Sequence, residues 1–262
     1  MQISLLWINP IEFQSMGHTG ERHSCCWIFI NTLEEVSMTE LNFTRKSFDL
    51  LEGLAANNDK SWYDAHRKDF EAYLREPFSV VLERATDRLA ETTLPLAGGS
   101  KTMFRQNRDI RFSKDKSPYS THVSGVLTPS GTKAEKDGML YVQLDGSGGL
   151  IACGFYKLKA AELATLRDKI IEEPEAFSQV LQGLNDAGLS LSDEDKLTSM
   201  PRGYEAHDQH EYAQYLRLKS FISQTPLPKS AWLEADIVDR IVEYAKGCAS
   251  LLKFGRACDS EN

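Results

Sequence analysis

The hydrophobic period changes twice along this chain, and that change limits the folds open to it. Between Phe48 and Leu89 the apolar residues recur at helical spacing. Phe48, Leu50, Leu51 and Leu54 cluster first. Trp62, Tyr63, Phe70, Tyr73 and Leu74 follow, close to an i, i+3, i+4, i+7 stripe, and Val80, Val81, Leu82, Ala85 and Leu89 continue it. Asn57-Asn58-Asp59 breaks the run and supplies a helix cap, and Pro77 suits a helix first turn. After Leu94-Pro95-Leu96-Ala97-Gly98-Gly99 the period drops to two. Strand-like runs are expected at Thr102–Phe112, Val123–Leu127, Met139–Leu144 and Leu150–Phe155. Leu140, Val142 and Leu144 alternate with Met139, Tyr141 and Gln143, and Asp145-Gly146-Ser147-Gly148-Gly149 turns the chain back. Helical spacing then returns at Ala160–Glu172, near Glu175–Asp186, around Glu211–Leu218, and as a long stripe from Leu233 to Leu252 through Ile237, Ile241, Tyr244 and Cys248. Helices before and after a contiguous run of strands predict an α+β fold, an antiparallel β-meander packed against N-terminal and C-terminal helices.

The expected organisation is one α+β domain over residues 38–256, with a polar tail at 257–262. Residues 1–37 lack a sustained period, and ordered patterning begins at Met38. That stretch reads as a loose extension, or as sequence upstream of a true start at Met38. Its His18, His23, Cys25 and Cys26 do not match zinc-ligand spacing, so no metal is expected there. The five cysteines are odd in number and lack a CxxC, which reads as reduced thiols in a cytoplasmic protein. The apolar runs Ile3–Ile8 and Cys25–Ile30 fall far short of the ~18 residues of a membrane span. A net charge of −8 argues against broad nucleic-acid binding while leaving a local basic site open.

Such a local site is present. From Lys101 to Tyr119 there are six Lys or Arg against two Asp, a surplus of four positive charges inside an acidic chain. If the segment is extended, Arg105, Asn107, Asp109 and Arg111 share one face, and Phe104, Arg108, Ile110 and Phe112 the other. Guanidinium forks beside an amide suit a carboxylate or phosphate, and Lys114 and Lys116 add charge on the following turn. Asp109 and Asp115 then either hold the cations in place or bind a metal with a phosphate ligand. Arg and Asp in one segment can equally pair with each other and only buttress the fold.

The hallmark from Phe104 to Tyr119 reads Phe-Arg-x-Asn-Arg-Asp-x-Arg-Phe-Ser-Lys-Asp-Lys-x-Pro-Tyr. In this it resembles the family catalogued as domain of unknown function 2461, a set of conserved hypothetical proteins. Further likenesses are Asn57-Asn58-x-Lys60-x-Trp62, the hairpin Tyr141–Gly154, Pro201-x-Gly203-Tyr204 and Leu216-Arg217-Leu218-Lys219-Ser220-Phe221. The likeness runs from about Phe48 to Leu252. Ser120 stands where the family usually has a lysine, and His210-Glu211 where it often has His-Pro. The resemblance implies a fold and a site but no reaction.

Three functions follow as expectations. The first is a pocket for an anionic small molecule, such as a nucleotide or phosphorylated metabolite. There Arg105, Arg108, Arg111, Lys114 and Lys116 supply charge, and Asn107 and Tyr119 supply orientation. Lys219, in an apolar frame with Leu218 and Phe221, is a candidate to reach the motif from another element. The second is a basic ridge that docks an acidic protein or a nucleic-acid backbone. The third is a purely structural motif. His66 and the His207-Asp208…His210-Glu211 group are weaker candidates, accounted for by packing or capping and by loop solvation; His122, in strand-like sequence, can titrate near neutral pH, but no Ser or Cys neighbour forms a recognisable nucleophile pair with it.

Overall fold

A computed structural model describes residues 43–135, 138–234 and 236–256. All of them lie within the unit Thr39–Asn262. The readings made above for residues 1–37, for a start at Met38 and for the tail 257–262 fall outside the described residues.

The architecture is α+β. Helix α1 spans Arg45–Ala56 and α2 spans Lys60–Phe70. Asp59 caps α2 by accepting from the Trp62 N–H. The chain then stays helical through a π turn at Glu71–Arg75 into α3, Glu76–Ala90. The π turn is the physical answer to Pro77. A proline ring inside a regular α-helix collides with the carbonyl four residues back. Here the Glu76 N–H reaches Glu71 O, five residues back, and the turn widens just before the proline. Pro77 thus occupies the first turn of α3, as expected, while the chain stays helical through the π turn that precedes it.

The sheet has four antiparallel strands in the order β1-β2-β3-β4: His122–Leu127, Met139–Asp145, Leu150–Phe155 and Phe221–Pro226. β1 to β3 form the expected meander. β4 arrives only after α4 (Ala160–Glu172), α5 (Pro174–Asp186) and α6 (Ala213–Leu216). After it come α7 (Lys229–Leu233), α8 (Ile237–Gly247) and α9 (Ala249–Arg256). The long C-terminal helix expected from Leu233 to Leu252 is therefore interrupted, with Cys248 at the joint between α8 and α9. The stripe survives the break, because Ile237, Ile241, Tyr244 and Cys248 all remain buried.

Burial alternates along β2 and at the start of β4, while β1 and β3 are buried at every position after their first. Leu140, Val142, Leu144, Ile151, Cys153 and Phe221 face the core. There α3 packs on β1 and α8, and α9 packs on β3 and α5. Cys153 and Cys248 are free, buried thiols. The opposite face carries Tyr141, Gln143, Ala152 and Gln224, and among the described residues no helical residue lines the groove on it.

Candidate functional site

Thr102–Phe112 is not a strand. It meets β1 at the isolated bridge Met103↔Gly125, and Asn107↔Tyr119 bridges it to the segment that leads into β1. With Phe104 N–H donating to Ser124 O, Arg108 N–H to Pro118 O, and Ser120 N–H to Gln106 O, the segment forms a two-armed ribbon beyond β1. Two side chains fasten it. The buried Gln106 amide donates to Ser120 O and to His122 O. Asn58, between α1 and α2, accepts from Tyr119 N–H at 3.0 Å and donates to Tyr119 O at 2.9 Å. Tyr119 itself is 6% exposed and stacks on Tyr63 at 4.2 Å between ring centroids. It anchors the ribbon and does not face a ligand, which corrects the orienting role expected of it.

The ribbon tip bends rather than alternating. Asp109 accepts from the Arg111 N–H at 3.2 Å, and Ser113 N–H donates to Ile110 O, so the extended-face arrangement ends at Asp109. Arg111 forks onto Asp109 through Nε at 3.0 Å and Nη2 at 2.7 Å. That guanidinium holds the Asp109 carboxyl below its ordinary pKa. Asp115 accepts from Ser117 Oγ and N–H and from Arg108 Nη1, and these bonds push its pKa far below the usual carboxylate value. Arg108 also donates to Ser117 O. Both aspartates are therefore occupied as internal ion-pair partners, and two of the three guanidiniums are tied up with them. Among the described residues, Lys101, Arg105, Lys114 and Lys116 have no carboxylate at ion-pair distance. Lys116 donates to Ile110 O. Asn107 is exposed. Lys219 does not join the ribbon; its Nζ pairs with Asp195 at 2.9 Å.

A groove of about 450 Å³ lies on the open face of the sheet. Phe104, the first residue of the hallmark, forms part of its wall, with its ring 6.2 Å from that of Tyr141. Arg75 Nη1 donates to Phe104 O at 3.2 Å. Lys133 Nζ donates to Met103 O at 2.9 Å and stands 6.0 Å from the Phe104 ring centre. Arg75, which also pairs with Glu71 at 3.5 Å, and Lys133 thus bring two cationic side chains to this end of the groove. A second cavity, lined by Lys157, Ser192, Asp195 and Ser220, adjoins the groove across Tyr156, Ile222 and Gln224.

Alternation also assembles a polar row that the sequence reading passed over. Tyr141 hydroxyl donates to Gln143 Oε1 at 2.8 Å, and Gln143 Nε2 donates to Asp145 at 3.0 Å. Asp145 is the register partner of His122, and Ser120 Oγ lies 3.1 Å from the His122 ring nitrogens. Burial depresses the His122 pKa below 6.5; Asp145 opposes that shift and Arg108 adds to it. His122, Tyr141, Gln143 and Asp145 stand at even offsets along two paired strands, with Ser120 two residues before His122 in the lead-in to β1, and that spacing was the signal available in the sequence. His66 instead stacks on Trp62 at 4.0 Å and bonds its carbonyl, a packed histidine. Among the described residues no group of His, Cys, Asp and Glu could hold a metal ion, and no helix is long and apolar enough to cross a membrane.

The hallmark, the ribbon and the sheet belong to one stretch that a single family model covers. The model described as conserved hypothetical protein (DUF2461) matches residues 46–254. No curated protein and no solved structure matches the chain significantly.

Proposed function

The chain belongs to the DUF2461 family of conserved hypothetical proteins, and for it we propose the binding of an anionic small molecule at the base of the ribbon, its body against the open face of the sheet. One observation carries the reading. The apolar groove begins at Phe104, where Arg75, itself paired with Glu71 at 3.5 Å, donates to the Phe104 carbonyl and Lys133 stands 6.0 Å from the ring centre, and among the described residues Lys101, Arg105, Lys114 and Lys116 have no carboxylate at ion-pair distance. Unpaired Arg and Lys beside a partly enclosed surface favour phosphate or carboxylate, because such contacts strengthen as water is displaced. The guanidiniums of Arg108 and Arg111 are assigned a different part. Locked to Asp115 and Asp109, they shape the ribbon.

A thermal-shift and calorimetric screen with pyrophosphate and simple phosphomonoesters tests this. Ligand at ten times its Kd should raise Tm by roughly 3 to 6 °C. Arg105→Ala with Lys133→Ala should remove the rise while leaving the unliganded Tm within a few degrees. The reading fails if no anion stabilises the protein, or if the double variant responds like the parent.

The ribbon tip favours a second reading. Phe112 is 96% exposed and the Arg111 side chain 77%, so the tip projects as a ridge. A ridge docking an acidic protein would bind with steep salt dependence and would lose affinity on Phe112→Ala, a substitution that leaves the groove untouched.

A further inference from the structure

The floor and walls of the open-face groove define a shape more specific than an anion site. Its floor is made of the smallest side chains on that face. Ala152 sits opposite Tyr141 on one side and Gln224 on the other, and Gly154 sits opposite Met139 and Ile222. Gly154 cannot be larger. Its φ is +134°, and a Cβ there would lie 2.1 Å from Phe221 O. Around that low floor stand three aromatic rings: Phe104, 41% exposed, Tyr141, and Tyr156, 51% exposed. A small floor beside these rings, in a groove of about 450 Å³ also lined by Met139, Leu150 and Ile222, has room for a flat ring laid on the slot floor against the aromatic faces.

The polar group inside the slot narrows the chemistry. Gln224 lines the groove from the edge strand β4, and its carboxamide has no hydrogen-bond partner among the described residues. The other amide on this face, Gln143, is spent on Tyr141 and Asp145. A free carboxamide offers one acceptor and one pair of donors side by side. Its complement is a planar ring whose edge carries an acceptor beside a donor, as the bases of nucleosides do. Aromatic rings that stack the base faces complete such a site.

We infer that the open-face slot binds a nucleobase, stacked among Phe104, Tyr141 and Tyr156 and read at its edge by Gln224. Attachment of the anionic tail at the Phe104 end rests on the function proposed above. Recognition of the ring does not, because the slot contains no Lys or Arg of the ribbon.

Calorimetry with the four uncharged ribonucleosides, with the matching 5′-monophosphates, and with pyrophosphate separates the two ideas. The expected result is saturable binding of at least one nucleoside. Gln224→Ala and Gln224→Glu should each weaken it roughly 10-fold, the second by removing the donor while keeping the shape. Phe104→Leu should weaken it roughly fivefold through lost stacking. Nucleoside binding with no gain from the phosphate would retain the slot and refute the anionic tail. Binding of pyrophosphate and monophosphates alike, with no response to any nucleoside, would overturn the slot and retain the tail. Nucleoside binding unchanged in both Gln224 variants, in protein with the parental circular dichroism, would also overturn it.

Discussion

Asn58 is the fastener whose removal reports most directly on how the ribbon is held. It supplies two hydrogen bonds to the backbone of Tyr119, sixty-one residues away, one to the N–H and one to the carbonyl. Asn58→Ala removes both and leaves a buried residue's two backbone groups without their partner. An intramolecular bond contributes about 1 kcal/mol net, and an unsatisfied buried group costs more. Asn58 is half-buried, so water replaces part of what is lost. The expected cost is about 2 kcal/mol, or roughly 4 to 8 °C in Tm for a domain of this size. Neighbouring Asn57 provides the control. Its side chain makes one exposed bond to Gly53 O, and Asn57→Ala should change stability by less than about 0.5 kcal/mol. Urea unfolding followed by circular dichroism gives the global term, and limited trypsin digestion gives the local one. Cleavage after Arg111, Lys114 or Lys116 should accelerate in Asn58→Ala well beyond its global destabilisation, since the arm ending at Tyr119 is released first. Equal stability of the two variants, or unchanged tip cleavage, would refute this account of the anchor.

His122 should titrate below 6.5 by NMR and be neutral at pH 7, since burial disfavours its charged form. Asp145→Asn should lower that pKa further and Arg108→Ala should raise it, opposite signs that a ring merely exposed to solvent would not give. Gly154→Ala should destabilise by about 2 kcal/mol or more, measured by urea unfolding, because the new methyl group meets Phe221 O and φ is positive; a neutral result would contradict the close β3–β4 approach.

The helices and the meander were legible because their apolar residues keep one period over many positions. Phe70, Leu74, Phe78, Val81 and Leu89 hold a single buried stripe despite the π turn. β4 was not legible. Phe221–Pro226 alternates clearly over only three residues before Thr225 and Pro226, and it pairs with a strand some seventy residues earlier. The hallmark was visible as charge, but its shape was not. Asp109 and Asp115 are each used locally, through turn bonds and ion pairs that period-two reasoning does not contain. Lys219 looked free in an apolar frame because Asp195, its partner, lies on a separate loop. The groove was the least legible feature, since its floor depends on Ala152 and Gly154 lying beside the strand that the sequence hid.

The widened turn at Glu71–Arg75 also fixes the angular phase of everything after it. An α-helix advances about 100° per residue, so one residue more or fewer in that turn would rotate α3 by that amount relative to α2. Phe78, Val81 and Leu82 would swing off the sheet, and Arg75 would lose its reach to Phe104 O. Length changes in this short stretch should therefore be far more damaging than substitutions within it. The spacing between Phe70 and Pro77 is in effect a gauge that sets how the first helical layer meets the ribbon.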